Sequence, residues 1–573
     1  MQKTCKNCSQ NFEITDSDLK FYEEIGVPSP NLCPDDRAKR RMAFANQRNL
    51  YLRKCDGTSK TIISNFSSDK KFPVYAVDFF FSNDWDQLKT GRDYDFSRPF
   101  FDQFNDLMQV APKIALQRSP SFDQNSDYTN YAGKNKNCYL IFDSDKNEDC
   151  YHSYSINSCI STMDCFRVSD SELCYECVDC TNCYNCRYLQ NCDNCRDCYF
   201  LKNSIGCKNC FGSVNLRNKE FYFFNEKLSK EEYQKRLSEN LHSYIKIQNL
   251  KNEFQNFILK FPHKAMEGIY NEDVFGNYLI QCKNAHDCYD SRKLWDCKYI
   301  QQAFDDAKSS MDCTQVGDAV EQLYECCYGG YGAYFNRFCS HTLGQSSYLT
   351  YCYYTPFCSY LFGCIGLHHQ KYCILNKQYS KEEYEILMPK IIEAMKSPKS
   401  PLTRGLGHPL DKGGLGDCEW GEFFPTEISP FAYNETHAFD FYPISKEEIL
   451  EKGWKWKDDI YEIPKVEKII PANLLPDSIN DIPDDILNWA VNCEITNKPF
   501  KIIKPELDFY RKMNLPIPHL HPDERHKNRM KLRNPKKLWN RNCMKCNSKI
   551  QTTYSPDRSE IVYCEQCYLA LVY

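Results

Sequence analysis

Residues 174–186 read CYECVDCTNCYNC, a cysteine at every third position. Metal ligation, disulfide bonding and the lining of a repeated core would each use such spacing. The surrounding sequence separates them. When residues 137–220 are cut into rows of twelve, cysteine takes the second place at Cys138, Cys150, Cys174, Cys186, Cys198 and Cys210, and only Thr162 interrupts the series. Asn or Asp stands before it at Asn137, Asp149, Asn185, Asp197 and Asn209. An aromatic follows at Tyr139, Tyr151, Tyr175, Tyr199 and Phe211. A second column holds Cys159, Cys183, Cys195 and Cys207. An α-helix would smear these columns, because twelve is not a tight multiple of its turn. Stacked strands and turns keep them in line, each row lying on the last. Neighbours on an alternating strand face opposite sides, so cysteine turns inward and the aromatic outward. Asn or Asp at the preceding place suits a turn, and stacked Asn can hydrogen-bond along the ladder. The columns predict a parallel β-helix whose cysteines are mostly small, apolar wall residues. The pairs Cys183/Cys186, Cys195/Cys198 and Cys207/Cys210 keep a metal-bearing reading open, because stacked thiols can capture zinc or copper(I).

The rest of the chain bounds this reading. Its 573 residues allow about three to five domains. A formal charge of -5 excludes a general polyanion binder. The start, MQKTCKNCSQNFEITDSD, has no apolar core of a secretory signal, and no apolar run reaches membrane-spanning length. A cytoplasmic protein without membrane contact is expected, and there thiols stay reduced, which disfavours disulfides for the 35 cysteines. A second, weaker repeat runs from about 275 to 375, with steps of 25, 26 and 12 residues, so a coil holds one or two twelve-residue steps. Both blocks end alike, with Ser229/Glu232 and Ser380/Glu383 as capping boxes that start closing helices, the first running from Ser229 to about Lys260. A third box, Ser445/Glu448, opens a short helix.

The two ends of the chain are copies. A shift of 488 places Cys5 on Cys493, Phe21-Tyr22 on Phe509-Tyr510, Arg37 on Arg525, Arg41-Met42 on Arg529-Met530 and Cys55 on Cys543, without a gap. Cys543-x2-Cys546 and Cys564-x2-Cys567 form two CxxC pairs about a short β-type segment, the pattern of a structural zinc ribbon with a closed tetrahedral shell. At the amino terminus stand Cys5-x2-Cys8, Phe21-Tyr22 and Cys33-Pro34-Asp35-Asp36-Arg37. This run resembles the treble-clef zinc-ribbon family, with pattern CxxC, FY and CPxCR, over about 35 residues. The resemblance implies zinc on Cys5, Cys8 and Cys33, with Asp36 in place of the fourth cysteine. In the carboxy-terminal copy those places hold Cys493, Thr496, His521 and Glu524, which predicts loss of that metal. Only Cys55 remains of the other site in the first copy.

The expected architecture is therefore mainly β, with a cysteine-rich parallel β-helix in two blocks, capping helices, and duplicated treble-clef or zinc-ribbon modules at the ends. The divisions are a module at 1–80, a connector at 81–130, solenoid blocks at 131–226 and 266–378, helices at 227–265 and 379–396, a flexible insertion at 397–418, an aromatic and proline-rich connector at 419–490, and a module at 491–573. The order of these parts is similar to that of large cysteine-rich proteins of bacteria with reduced genomes, a resemblance that implies shared architecture and no activity.

Each module carries a basic segment. The first has Arg37, Arg40, Arg41 and Arg48; the second has Arg525, Arg529, Arg533, Lys536, Lys537 and Arg541, with Lys545 and Lys549 beyond and no acidic residue between Arg525 and Lys549. Basic segments of zinc modules are commonly presented to phosphates, and Tyr51 and Trp539 are placed to stack on bases. A non-enzymatic, zinc-stabilised scaffold contacting nucleic acid or a ribonucleoprotein is expected. The alternatives are protein-protein scaffolding, thiol-based metal buffering, and a carbohydrate-active β-helix using Asp143, Asp145 and Glu148 or Asp305 and Asp306. No motif accompanies those carboxylates, and His368-His369 reads as a surface turn pair.

Overall fold

A computed structural model describes the chain apart from residues 239–240, 242, 304–305, 317–319, 330–331, 343, 398–417 and 459–463. The inferred flexible insertion lies almost wholly outside the described residues, as does Asp305. The protein is mainly β, built on a parallel solenoid of about 19 turns.

The solenoid follows a rule of three. From Tyr131 to Phe221 every third residue has positive φ, including Asn137, Asp149, Asn185 and Asp197. Asn and Asp tolerate this left-handed region better than other side chains, which explains their column. Twelve residues per coil thus give four corners joined by three-residue sides. The residue after each corner points inward, and Cys174, Cys177, Cys180, Cys183 and Cys186 are five successive wall residues. The opening stretch is therefore the lining of the coil. Parallel pairing sets Cys174 against Cys186 and Cys180 against Cys192, as the twelve-residue columns require. Corner side chains also ladder, Asn137 donating to Asp149 at 3.0 Å and Asn185 to Asp197 at 2.6 Å.

The wall is not simply apolar, contrary to the sequence expectation. Corner-flanking N–H groups join the inter-coil ladder, as Lys136 does with Asn147 and Asn137 with Gln124. The inward residue's N–H instead meets a wall side chain one coil earlier. Ser126 accepts from Cys138, Ser144 from Ile156, Ser153 from Cys165, Asn147 from Cys159, and the Cys165 sulfur from Cys177. Thiols in turn donate to carbonyls: Cys150 reaches Glu148 at 3.3 Å and Cys159 at 3.5 Å. Buried backbone groups must find partners, so the wall favours small side chains that are both compact and polarisable.

The chain runs through these parts in order. Helices α1 (Asp16–Glu24) and α2 (Pro34–Met42) belong to the amino-terminal module. Helix α3 (Phe100–Val110) lies in the connector. After the first block come α4 (Lys230–Ser238) and α5 (Tyr244–Ile258). These replace the single long helix expected from Ser229, because Ser243 supplies a second cap by accepting from Lys246 N–H. In the second block each coil is a single step of eleven to thirteen residues, Glu272 lying beside Lys283, Cys313 beside Cys326 and Ser347 beside Ser359. Helix α6 (Lys381–Lys396) closes that block with the expected Ser380/Glu383 box. The carboxy-terminal module holds α7 (Lys504–Lys512), α8 (Pro522–Lys531) and α9 (Glu565–Val572). Among the described residues no helix is long and apolar enough to cross a membrane.

Outward aromatics mostly face other parts of the same chain. Tyr151 and Tyr175 pack with Leu507, Phe509 and Tyr510; Tyr199 and Phe211 pack with Leu250 and Phe254 of α5. In the second block Phe338, Tyr351 and Phe362 meet Phe100, Phe101 and Phe104 of α3, with Trp420 and Phe424 from the irregular aromatic segment. The solenoid thus uses most of its aromatic surface internally. His368 is buried under Phe80, whose carbonyl lies 3.0 Å from Nε2, so His368-His369 is no surface turn pair.

All 35 cysteines are free thiols. Burial pushes wall thiols such as Cys297, Cys326 and Cys358 up to about 12. Thiol titration of native, metal-stripped protein should therefore consume only the knuckle cysteines quickly, the wall thiols reacting after denaturant is added. Replacing Asn185 by Val should lower stability by about 1–2 kcal/mol in denaturant melts, because a β-branched residue is strained at its corner.

Candidate metal centres and arginine clamps

Four cysteines open the same local turn. Cys5, Cys55, Cys493 and Cys543 each donate N–H to the carbonyl five residues on, at 2.8–2.9 Å. Each turn closes through a left-handed residue: Ser9, Ser59, Asn497 and Asn547. The first cysteine sulfur then receives a backbone N–H at the start of a later helix. Cys33 N–H reaches Cys5 at 3.2 Å, Ala76 reaches Cys55 at 3.3 Å, and Cys564 reaches Cys543 at 3.2 Å; His521 N–H serves Cys493. Each module thus holds two knuckle-and-helix units. Cys55 and Cys493 stand in units where no ligand set converges among the described residues, and their sulfurs still accept this bond.

Two units retain full ligand sets. The ligand atoms of Cys543, Cys546, Cys564 and Cys567 lie within 4.8 Å of one another, as do those of Cys5, Cys8, Cys33 and Asp36. Cys546 and Cys564 sulfurs stand 3.7 Å apart, and so do those of Cys8 and Cys33. Both sets could hold a metal ion. A β segment, Lys549–Thr552, separates the two pairs as expected, and the second pair opens a helix: Cys564 caps α9 and Cys567 lies in its first turn. Burial opposes ionisation of Cys543, but N–H groups of Cys546, Cys564 and Lys545 outweigh it and hold the thiol down at about 6. Among the described residues no other set of three ligating side chains converges. The solenoid pairs Cys183/Cys186, Cys195/Cys198 and Cys207/Cys210 therefore line the wall and do not surround an ion. Cys493, Thr496, His521 and Glu524 form no set either; His521 accepts from Asp523 N–H and Glu524 pairs with Lys527.

Five of the nominated arginines, Arg37, Arg40, Arg41, Arg525 and Arg529, are buried against the protein, where the sequence predicts an exposed basic face. Arg37 and Arg41, one turn apart on α2, both grip Asp312 of the second block, at 2.8 and 3.2 Å. Arg40 pairs with Glu325 at 2.6 Å and Glu422 at 2.7 Å. In the other copy, Arg525 and Arg529 of α8 both grip Asp164 of the first block, Arg529 at 2.7 Å. These side chains are buried. The duplicated modules thus repeat one device, a pair of arginines on a single solenoid carboxylate. Arg533 reaches Asp179 at 2.9 Å and also Asp290, which Lys536 approaches at 3.3 Å. Arg48 meets Asp523 at 3.4 Å, and Arg541 donates to the Ser555 carbonyl. Only Lys537 of the nominated set is freely exposed. Tyr51 donates to Glu435 at 2.7 Å, and Trp539 lies under Lys537. The acidic partners were not found in the sequence, because Asp164, Asp179, Asp290 and Asp312 occupy corners where many Asp residues serve only the turn.

The nominated carboxylates of the first block stand in different surroundings. Asp143 is half-buried and desolvation pushes it up to about 7, while Glu148 pairs at the surface with Lys136. Two cavities beside the first block measure about 30 and 40 Å³, room for a few waters. No family model and no curated protein matches the chain. One solved structure that matches, described as an acetyltransferase from Desulfovibrio desulfuricans G20, has 7% identity, covers 46% of this chain and 73% of its own, and has a TM-score of 0.11. That likeness carries no argument about fold or activity.

Removing one partner of a buried pair leaves a charge uncompensated, so Asp164→Ala and Asp312→Ala should each cost about 3–5 kcal/mol in denaturant unfolding. Acid should weaken the carboxy-terminal clamp. Burial pushes the Glu506 carboxyl up, but His152 and Arg525 outweigh it and hold it at about 2, against its usual 4.5. A depressed carboxylate stabilises above its unfolded value, and that contribution is lost as pH falls from 4.5 toward 2. Glu506→Gln should flatten this part of a stability-pH curve.

Proposed function

We propose that the protein is a non-enzymatic, zinc-stabilised scaffold in the cytoplasm that contacts nucleic acid or a ribonucleoprotein through the outer face of its carboxy-terminal module. Zinc fits both ligand sets: a Zn–S bond of about 2.3 Å implies a tetrahedral edge of roughly 3.8 Å, close to the sulfur spacings. The observation that carries the ligand is the division of labour among basic residues. The buried arginines hold the solenoid, while Lys531, Lys537, Lys545 and Lys549 stay exposed, with half-buried Arg541 beside them. No acidic residue lies between Arg525 and Lys549, so this strip keeps a local positive field on a slightly acidic chain. The same reading places the chain beside the large cysteine-rich proteins whose modules occur in this order.

Protein-protein scaffolding is the second reading. It is favoured by the exposed ladder of Tyr348 and Tyr360, stacked at 4.8 Å, with Tyr334 packed against its edge. Metal buffering is less well supported, because only two ligand sets converge among the described residues.

Elemental analysis of purified protein should give two zinc per chain. RNA or DNA binding should weaken steeply with salt and be lost when Lys531, Lys537, Lys545 and Lys549 are changed to Glu, without loss of thermal stability. Undiminished binding by that variant, or none by the parent at low salt, would reject the nucleic-acid contact. Changing Arg529 or Arg533 is no substitute, because both hold the fold.

A further inference from the structure

The two ligand sets differ in one donor, and that donor sits on a clamp. Cys33 caps α2, Asp36 lies in its first turn, and Arg37, Arg40 and Arg41 follow on the same helix. Metal ligands and grip on the second block are therefore carried by one nine-residue helix. At the other end the roles are separate: Cys543 and Cys546 lie in the knuckle that opens at Cys543, Cys564 and Cys567 at the start of α9, and the arginines on α8.

Asp36 is also a contested ligand. Its Oδ2 accepts from the thiols of Cys5 at 3.2 Å and Cys33 at 3.6 Å, while Lys39 Nζ holds Oδ1 at 3.1 Å. Thiolates suit zinc better than a carboxylate does, and an adjacent ammonium competes with the ion for the same oxygens. Each set has one exposed cysteine, Cys8 and Cys546, so a chelator can reach both and the donors decide the difference.

The metal-free copy shows what takes the ion's place. There Arg525 is braced from within its own module by Tyr510 at 3.0 Å and Glu506 at 3.4 Å. The counterpart of Glu506 is Asp18, which turns instead to Lys298 at 2.8 Å. Arg37 receives only the Leu32 carbonyl from its module. The side chain of Cys33 makes no cap hydrogen bond to α2. The start of α2 thus depends on the metal set in a way that α8 does not.

We propose, resting on the zinc reading above, that Cys5, Cys8, Cys33 and Asp36 form an exchangeable zinc site that controls the grip of α2 on the second block. With zinc bound, Cys33 and Asp36 fix the first turn, and three arginines meet Asp312, Glu325 and Glu422. With zinc removed, that turn frays and the buried charge network loosens. The four-cysteine centre stays loaded, and the clamp on Asp164 is unaffected.

The test uses full-length protein carrying two zinc, challenged with excess EDTA. Released metal is followed with a chromogenic indicator, and hydrogen exchange is read by mass spectrometry at the same times. One zinc should leave at least ten times faster than the other. Its departure should coincide with deuterium uptake in residues 34–48, 311–316 and 324–329, while 522–533 and 161–170 stay protected. Asp36→Cys should convert release to a single slow phase. Lys39→Met, which leaves all four ligands in place, should slow the fast phase alone. Release in one phase from the parent would overturn the proposal. So would a fast phase abolished by Cys567→Ser, or fast release without deuterium uptake at α2. Protein that binds no zinc as purified or after reconstitution would refute the zinc reading itself.

Discussion

The structure depends on a backbone N–H that the strand ladder cannot satisfy. A left-handed residue at every third position turns the chain and leaves the next N–H pointing into the coil. A side chain one coil earlier can accept it. Serine, asparagine and cysteine do so while remaining small enough for four of them to share a layer. Cysteine adds a weak donor that reaches nearby carbonyls, as Cys150 does. The abundance of cysteine follows from this geometry, and among the described residues the two sets that could hold a metal lie where the chain is outside the solenoid.

A coil of this kind has a thin core, so its stability is completed from outside. Tyrosine and phenylalanine beside the corners pack against helices and irregular segments, and the arginine pairs join the modules to the two blocks. Three arginines meet three carboxylates around α2, and two meet two around Asp164 and Glu506, so these networks are close to neutral. Neutrality matters because an isolated charge at such depth would be strongly unfavourable. The duplication preserved the arginine pair more faithfully than the metal: Arg37 and Arg41 correspond to Arg525 and Arg529, whereas each copy keeps a different metal unit.

Much of this was legible in the sequence, and the failures have physical causes. Columns at twelve-residue spacing fixed the register of the first block, and the 488-residue shift fixed the relation of the ends. The four-cysteine set was legible in its CxxC spacing, and the set with Asp36 in the resemblance to the treble-clef zinc-ribbon family; both converge in the structure. The three-residue side escaped notice because alternation was assumed, as for ordinary strands, although CYECVDCTNCYNC displays the true period. The break between α4 and α5 was missed because Ser243 has no acidic partner three residues later. The arginines were misread because a run of positive charge looks alike whether it faces solvent or a buried carboxylate 271 residues away. Nothing in the local sequence of Asp312 or Asp164 distinguishes a clamp from a turn.

The arginine pairs cross over the chain: Arg37 and Arg41 of the amino-terminal module grip the second block, and Arg525 and Arg529 of the carboxy-terminal module grip the first, while Arg533 and Lys536 also reach Asp290 of the second. During synthesis the amino-terminal arginines emerge long before Asp312 exists to receive them. The first block is likewise complete before α8 is made. Two sets of charges must therefore wait, solvated or shielded by other factors, until most of the polypeptide has left the ribosome. Final assembly is then a late, concerted closure of distant segments, and a truncated nascent chain would carry unpaired partners at both ends.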